Sequence, residues 1–346
     1  MIGRNIKKYR LLAGLSLRDM GDKLNVSHQT IKKYENDEMT PNSARLIDIA
    51  KLFGIKTSDL FSTFDIPTLQ FRNFRKRTTM TKKKEKGLFM LISDEIAKYI
   101  EVLELANEKY SFDRKKWTFD IEKIEDIENI AVEVRRKLGV SDMCALDNLT
   151  DKLEDNNFLI LSINYDEKFD GFCEYVDGLA FIILSSIGYE RNRFTLAHEL
   201  GHLILNFKEE LSSTEIEKYC DEFASSLLMP KKAMIREMEF NGKEGIRNTS
   251  INELLLIAKE YKVSLNAVIM RLYNLNIIDE NQKRNLFIFL TKIGAKNKQL
   301  KIVDEHPTRE KKLIYRLEAE KIISSDEAIK YLGVTTDEYF KSDFSN

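Results

Sequence analysis

Long apolar runs and paired cysteines are what this sequence of 346 residues lacks. No run of about 18 apolar residues occurs, so the sequence predicts no transmembrane helix. The first residues lack the apolar segment and the small-residue cleavage site of a signal peptide. Three widely spaced cysteines do not suit a disulfide framework and indicate a reducing compartment. We therefore expect a cytoplasmic protein that makes no contact with a membrane.

The sequence also lacks an excess of charge of one sign, and its net charge is −1. The chain as a whole therefore carries no nucleic-acid signature. Basic residues are nevertheless concentrated in the segment 72–86, RNFRKRTTMTKKKEK, which holds eight of them and one acid. This run is interpreted either as a solvated linker or as an arm that contacts DNA phosphates.

The length and an apolar content of 43% predict a soluble protein with more than one domain. The expected fold is mainly α with a small β-sheet (α+β). We place a helical domain at 1–64, the basic linker at 65–87, a second domain at 88–280 and a helical C-terminal region at 281–346. Three β-like runs lie in the second domain: FLILSI (158–163), GFCEYV (171–176) and LAFIILSS (179–186).

Residues 16–36, SLRDMGDKLNVSHQTIKKYEN, predict a helix, a tight turn around Asn25 and a second helix that Ser27 opens. The pattern resembles the helix-turn-helix of the Cro and phage-repressor (XRE) class over residues 3 to about 60. That resemblance implies that the second helix enters the major groove with its first residues at base edges. The expected DNA contacts are Ser27, His28, Gln29, Thr30 and Lys33.

The same resemblance implies a double-stranded DNA operator as a partner and a homodimer on two half-sites. It also implies an internal salt bridge between Arg10 and Glu35. The alternative is a helical module of the same fold that binds proteins. Polar residues at the reading positions favour DNA.

Residues 193–206, RFTLAHELGHLILN, place two histidines four positions apart in an apolar stretch. On a helix, His198 and His202 share one face and can direct both imidazoles at one ion. Glu199 can reach a water on that ion without ligating it. This H-E-x-x-H pattern therefore supplies two ligands and a general base, Glu199. Two ordinary helical histidines are the alternative.

A zinc site with an open fourth position needs a third protein ligand. The following helix, LSSTEIEKYCDEFASSLLMP (211–230), offers Glu217 as that ligand and Asp221 as acceptor of a histidine N–H. Cys220 is a further candidate ligand, but it lies on the apolar stripe and we interpret it as a packing residue.

The two motifs together resemble the ImmA/IrrE family of zinc metallopeptidases over residues 140 to about 275. The resemblance implies a gluzincin-like core in which His198, His202 and Glu217 bind Zn²⁺, with Mn²⁺ as the alternative metal, and Glu199 is the base. The strand LAFIILSS is expected to be a sheet edge on which an extended peptide pairs.

The combined prediction is a DNA-binding transcriptional regulator with a zinc-dependent endopeptidase domain. Its expected protein substrate is a repressor or an antitoxin-like protein. The alternative is a regulator without catalytic activity whose zinc domain acts as a sensor. Intact Glu199 favours the enzyme, because a purely structural site has no need of a base and usually closes its fourth position with a protein ligand.

Overall fold

The computed structural model describes residues 2–61, 81–108, 111–163, 165, 169, 171–176, 178–185, 189–208, 210–238, 249–292 and 305–341. The fold is mainly α with small β-sheets, as predicted. The chain divides into two compact units, which we call the first unit (Met1–Lys109 with Glu310–Asn346) and the second unit (Tyr110–Arg309).

The elements follow in chain order as α1 (Ile2–Leu12), α2 (Leu17–Leu24), α3 (His28–Glu35), α4 (Ser43–Phe53), α5 (Lys82–Leu105), β1 (Phe119–Asp120), α6 (Asp126–Lys137), α7 (Leu149–Asp155), β2 (Phe158–Ile163), β3 (Gly171–Val176), β4 (Leu179–Ser185), α8 (Tyr189–Ile204), β5 (Leu205–Asn206), α9 (Ser213–Leu228), α10 (Lys231–Met238), α11 (Ile251–Glu260), α12 (Leu265–Asn274), α13 (Glu280–Lys292), α14 (Arg309–Ala319), α15 (Ser325–Leu332) and α16 (Thr336–Lys341). Short 3-10 helices cover Thr57–Leu60 and Lys115–Trp117.

The helix-turn-helix of the first unit is built from local capping and one small core. Ser16 caps α2 in a capping box with Asp19, and Ser27 caps α3 by accepting the Thr30 N–H. The turn between the helices is at Asn25, which adopts a left-handed conformation with φ 52°. The predicted tight turn is therefore confirmed. The fully buried core residues of this part are Ile6, Met20, Ile31, Ile49 and Leu60.

Helix α5 packs closely against α1. A Cβ added at Gly87 would lie 2.6 Å from the Leu12 backbone nitrogen, so only glycine permits this approach. Asp94 on α5 accepts from Arg4 and from Lys8, each at 2.6 Å. The helix begins at Lys82, and Thr81 caps it by accepting the Lys84 N–H.

The C-terminal helices complete the first unit. The Tyr331 hydroxyl donates to Glu101 on α5 at 2.7 Å, and Arg316 pairs with Glu108 at 2.9 Å. Lys56 donates to the Val334 carbonyl at 3.0 Å. Helices from both ends of the chain therefore share one unit.

The domain boundaries expected at residues 87 and 280 do not coincide with the two units. Residues 82–86, expected in the linker, form the first turns of α5, and residues 81–108 belong to the first unit. A helical period in the sequence carries no information on which core a helix joins. Residues 72–80 of the basic segment lie outside the described residues.

The second unit contains a three-stranded sheet in the order β2-β4-β3. Strand β4 pairs in parallel with β2 and antiparallel with β3. A separate two-residue parallel pair joins β1 to β5. The three predicted strands are all present, with the bounds given above. The apolar faces of the sheet and of α8 share one core with helices α6 to α12.

The expectation that β4 is a sheet edge is wrong. Both of its sides are hydrogen-bonded, with Ile182 opposite Ile160 on β2 and opposite Cys173 on β3. Its uninterrupted apolar sequence is the pattern of a strand buried on both faces. Among the described strands, β3 is paired on one side only, and it is the edge strand that lies next to α8.

Glu154 on α7 generates a prediction about stability. Its side chain is buried, and its Oε2 accepts the Thr308 N–H at 3.4 Å. Burial raises the pKa of Glu154 to about 7, and the Thr308 hydrogen bond offsets only part of this rise. Between about pH 4.5 and 7 the folded protein therefore retains a proton that the unfolded chain releases. Stability should fall as the pH rises through this range, by up to about 1.4 kcal/mol per pH unit.

The test compares thermal unfolding of the wild type, Glu154→Gln and Asp155→Asn between pH 5 and pH 8. The glutamine variant should lose part of the decline in midpoint with rising pH. The neighbouring, exposed Asp155 serves as the matched control and should leave the decline unchanged. Parallel curves for Glu154→Gln and wild type would contradict this assignment.

Candidate metal centre

The two histidines of the H-E-x-x-H motif converge on α8. Their Nε2 atoms are 3.0 Å apart, and the rings lie at 70° to each other. His198 is fully buried and the His202 side chain is 11% exposed. The positions one helical turn apart therefore bring two imidazole nitrogens together at one point.

Glu217 on α9 completes this point. Its Oε2 lies 3.3 Å from His198 Nε2, and its Oε1 lies 3.2 Å from His202 Nε2. The N-terminal capping box of α9, formed by Ser212 and Glu215, fixes the register that places Glu217 there. The predicted third ligand is thus brought to the two histidines.

The separations among these atoms fit a zinc ion. Bonds of about 2.0–2.1 Å in a tetrahedron place neighbouring ligand atoms about 3.3 Å apart. The observed separations of 3.0 to 3.3 Å match that edge length. Two imidazoles and one carboxylate are also a donor set that Zn²⁺ prefers, and they leave a fourth position open.

Each histidine has a partner on its other ring nitrogen. Asp221 Oδ1 lies 2.7 Å from His198 Nδ1, as expected for the acceptor of a liganding histidine. Cys220 Sγ lies 3.2 Å from His202 Nδ1. These contacts orient both rings so that the Nε2 atoms face Glu217. The sequence interpretation of Cys220 as a packing residue missed this contact, since an apolar stripe does not reveal a neighbouring ring nitrogen.

Cys220 is also a rival third ligand. A ligand atom from each of His198, His202 and Cys220 can be chosen so that all lie within 4.8 Å of one another. The thiol faces the Nδ1 side of His202, however, whereas Glu217 faces the Nε2 atoms of both rings. The geometry therefore favours Glu217 as ligand and Cys220 as a support for His202.

Glu199 is 5% exposed and lies against β3. A Cβ added at Gly171 would be 3.0 Å from Glu199 Cγ and 3.4 Å from Glu199 Oε1. No motif or spacing in the sequence singles out this glycine. Glu199 follows directly on His198, as the motif requires of a base.

The predicted DNA-contacting residues lie at the start of α3 and along it. His28, Gln29 and Lys33 are exposed, as is Lys32, which was not among the predicted contacts. The Ser27 hydroxyl is engaged in capping, since it accepts the Thr30 N–H at 3.1 Å. Four of the five predicted residues, Ser27 among them, are therefore exposed together with Lys32, and Thr30 is half-buried.

Two contacts link the helix-turn-helix to neighbouring segments of the first unit. Arg10 Nη2 donates to Glu35 Oε2 at 2.9 Å, which confirms the predicted internal salt bridge. Lys83 at the start of α5 lies close enough to Asp19 on α2 that its charge helps to lower the pKa of that carboxyl, after the larger effect of Ser16. The start of α5 is therefore near the start of α2.

No helix within the described ranges is both long enough and apolar enough to span a bilayer.

Comparisons with known proteins match both parts. A family model described as helix-turn-helix matches residues 6–60, and one described as an IrrE N-terminal-like domain matches residues 181–273. An uncharacterised HTH-type transcriptional regulator of Methanocaldococcus jannaschii is 41% identical over 56 residues, which are 16% of this chain and 85% of that protein. The chain is a fusion of an XRE-type helix-turn-helix domain and an ImmA/IrrE-family domain.

The IrrE-type match begins within β4 and includes α8 and α9, and thus the whole histidine and carboxylate cluster. Strand β3 precedes the matched residues. The family match therefore says nothing about the contacts of β3 with α8, which only the structure shows.

The ligand set generates a test by elemental analysis. Wild-type protein should hold about one equivalent of divalent metal per chain, and Glu217→Gln and His202→Ala should hold sharply less. Glu210→Gln, an exposed acid just before α9, is the matched control and should retain the metal. Full occupancy in Glu217→Gln would shift the third position to Cys220, and loss of metal from Cys220→Ser would then establish that ligand.

Proposed function

We propose that this protein is a DNA-binding transcriptional regulator whose IrrE-type domain is a zinc-dependent endopeptidase. Its substrate is a repressor or an antitoxin-like protein. The observation that carries the proposal is the meeting of His198 Nε2, His202 Nε2 and Glu217 at 3.0 to 3.3 Å, with Glu199 beside them in the chain.

The chemistry follows from the residues in place. His198, His202 and Glu217 would hold Zn²⁺, with Mn²⁺ as the alternative. A bound ion would act as a Lewis acid and would lower the pKa of water to about 7. Glu199 would accept the proton of the attacking water and pass it to the leaving amine. Asp221 Oδ1 beside His198 Nδ1 would orient the ring so that Nε2 is directed at the ion.

The substrate segment is proposed to bind in an extended form along β3. This strand replaces β4 in that role, because β3 is the sheet edge next to α8. Backbone hydrogen bonds to an edge strand align a peptide without depending on its side chains. Specificity for one protein would then come from side-chain contacts.

The DNA-binding part of the proposal rests on α3. Exposed Gln29 is chemically suited to bidentate contact with adenine, and Lys33 to a phosphate. Modules of this class bind as dimers to half-sites about one helical turn apart. A homodimer on double-stranded DNA is therefore the proposed assembly.

A sensor without turnover is the second candidate. The grouping of Cys220 with His198 and His202 is the observation that favours it, because a thiolate that joined the ligands would close the site with a fourth protein group. Glu199 is the observation against it, since a closed site has no use for a base.

The role of Glu199 is tested with Glu199→Gln. The variant should keep its metal and its fold but lose cleavage of repressors encoded next to the gene by about 10²–10⁴-fold. Cleavage is measured by mass spectrometry of the products. Untreated wild type is the positive control and chelator-treated wild type is the negative control. Wild-type rates in Glu199→Gln would reject the general-base mechanism. Absence of cleavage by metal-loaded wild type on all such repressors would favour the sensor.

The DNA-binding surface is tested with two kinds of variant in gel-shift titrations at several salt concentrations. Gln29→Ala should weaken operator binding and relax the sequence preference. Replacing Lys82 and Lys83 with alanine should weaken binding to all sequences alike. The slope of log affinity against log salt should flatten by about 0.9 for each phosphate that these lysines neutralise. Lys84 is left intact because its side chain packs at Gly14.

The matched control for the lysine pair replaces Lys311 and Lys312, two exposed residues of α14, with alanine. It removes the same charge from the same unit. If both pairs of substitutions flatten the slope of log affinity against log salt equally, the effect comes from net charge. Lys82 and Lys83 would then be solvated residues that make no phosphate contacts. An unchanged sequence preference in Gln29→Ala would favour the protein-interaction module.

A further inference from the structure

Helix α13 carries more apolar surface than the second unit covers. Its sequence contains five apolar residues in a row, LFIFL (286–290), so apolar side chains extend around most of the helix. Of all the residues of α13, only Leu290 is buried. Ile288 and Phe289 are 45% and 44% exposed. A helix that is apolar on all sides is normally covered on all sides, so a part of this surface lacks its cover.

One face of α13 combines this apolar surface with charged residues. Six residues of the helix line one shallow groove: Glu280, Arg284, Phe287, Ile288, Thr291 and Lys292. Their spacing of three and four residues places them on the same side of the helix. We call this set the α13 face. An exposed apolar surface with charged residues around it is typical of a contact between proteins.

The charges of the α13 face are separated along the helix. Glu280 lies in the first turn and Lys292 in the last, about 18 Å apart along the axis. Glu280 pairs with Lys283 at 2.7 Å, and an exposed pair of this kind contributes little to stability. No carboxylate in the described ranges forms an ion pair with Arg284 or Lys292. The face therefore has a negative end and a positive end that is open to a new partner.

A second copy of α13 matches this distribution of charge when it runs antiparallel to the first. A two-fold axis at the level of residue 286 places Glu280 of each copy opposite Lys292 of the other, and Arg284 opposite Ile288. Two ion pairs then flank a centre in which Ile288 packs on the aliphatic stem of the opposing Arg284. Each helix N-terminus also lies beside the C-terminus of the other helix, which their dipoles favour. A parallel pair would place like charges opposite each other.

We propose that two copies of this chain associate through the α13 face, with the two α13 helices antiparallel. The proposal names a contact for the homodimer of the proposed function, and it rests on that function for the role of the dimer in DNA binding. A helix about 20 Å long covers less than the about 800 Å² per partner of a standard interface. The dimer is therefore weak and depends on protein concentration, and two half-sites on one DNA strengthen it.

The contact is tested by sedimentation equilibrium of the full chain without DNA, across micromolar protein concentrations. Ile288→Glu should raise the dissociation constant of the dimer by about tenfold or more, because two unpaired carboxylates enter the centre of the contact. Leu256→Glu makes the same change at an exposed leucine of α11 and is the matched control, which should leave the constant unchanged. A wild type that stays monomeric overturns the proposal and leaves the α13 face to a different protein. An Ile288→Glu variant that dimerises like wild type also overturns it.

The antiparallel order is tested by charge reversal. Glu280→Lys and Lys292→Glu should each raise the dissociation constant about fivefold, because each change places like charges together at both ends of the contact. The double variant Glu280→Lys/Lys292→Glu has opposite charges at both ends again and should recover most of the wild-type affinity. Metal content and the thermal midpoint are measured in every variant to show that the fold is intact. A double variant that dimerises no better than either single variant overturns the antiparallel contact.

Gel shifts separate this proposal from the proposed function. The probes are DNAs with one and with two copies of the sequence that the wild type selects from random oligonucleotides. Ile288→Glu should bind the two-copy DNA more weakly than wild type does and the one-copy DNA equally well. A wild type that selects no DNA sequence rejects the DNA-binding regulator, and sedimentation then decides alone whether the α13 face joins two copies.

Discussion

The close approach of α8 and α9 is the constraint on which the metal centre depends. Gly201 favours it, because an added Cβ there would lie 3.1 Å from Phe223 Cδ1 and the ring would have to shift by a few tenths of an ångström. Glycine at the centre of a helix costs about 1 kcal/mol relative to alanine. Here it lies between the two residues whose rings must reach Glu217 on the facing helix, so the loss of helix propensity is offset by the geometry of the site.

The position of α9 is further fixed by a buried arginine. Arg271 on α12 is fully buried and donates to Glu222 at 2.8 Å, to Glu128 on α6 at 2.5 Å and to the Met229 carbonyl at 2.8 Å. Removing one partner of a buried ion pair typically costs about 3–5 kcal/mol, and Arg271 holds two carboxylates at once. The network therefore ties the end of α9 to two other helices, several residues away from Glu217, and leaves the ligand helix little freedom to slide.

Local patterns in the sequence predicted much of this architecture. The turn at Asn25, the three strands and the meeting of His198 with His202 depend on capping, on alternation and on helical periodicity, which are readable within a few residues. The central place of β4, the unit to which α5 belongs and the contact of Cys220 with His202 depend on which distant segments pack together. One sequence does not contain that information in local form, and a buried thiol looks the same whether its neighbour is a methyl group or an imidazole. Glu222 illustrates the limit, because an acid on an amphipathic helix is normally solvated and here it pairs with Arg271.

The arrangement of the units also has a consequence for the order in which the protein is made. The second unit is a continuous segment, Tyr110–Arg309, whereas the first unit takes in Glu310–Asn346 from the other end of the sequence. A ribosome therefore completes the metal-ligand helices before it releases α14, α15 and α16. Until then Glu101 on α5 and Glu108, three residues after the end of α5, lack the Tyr331 and Arg316 side chains that contact them. The segment that carries the peptidase-like site can fold during translation, while the DNA-binding unit completes these contacts and the one between Lys56 and Val334 only after residue 334 has emerged.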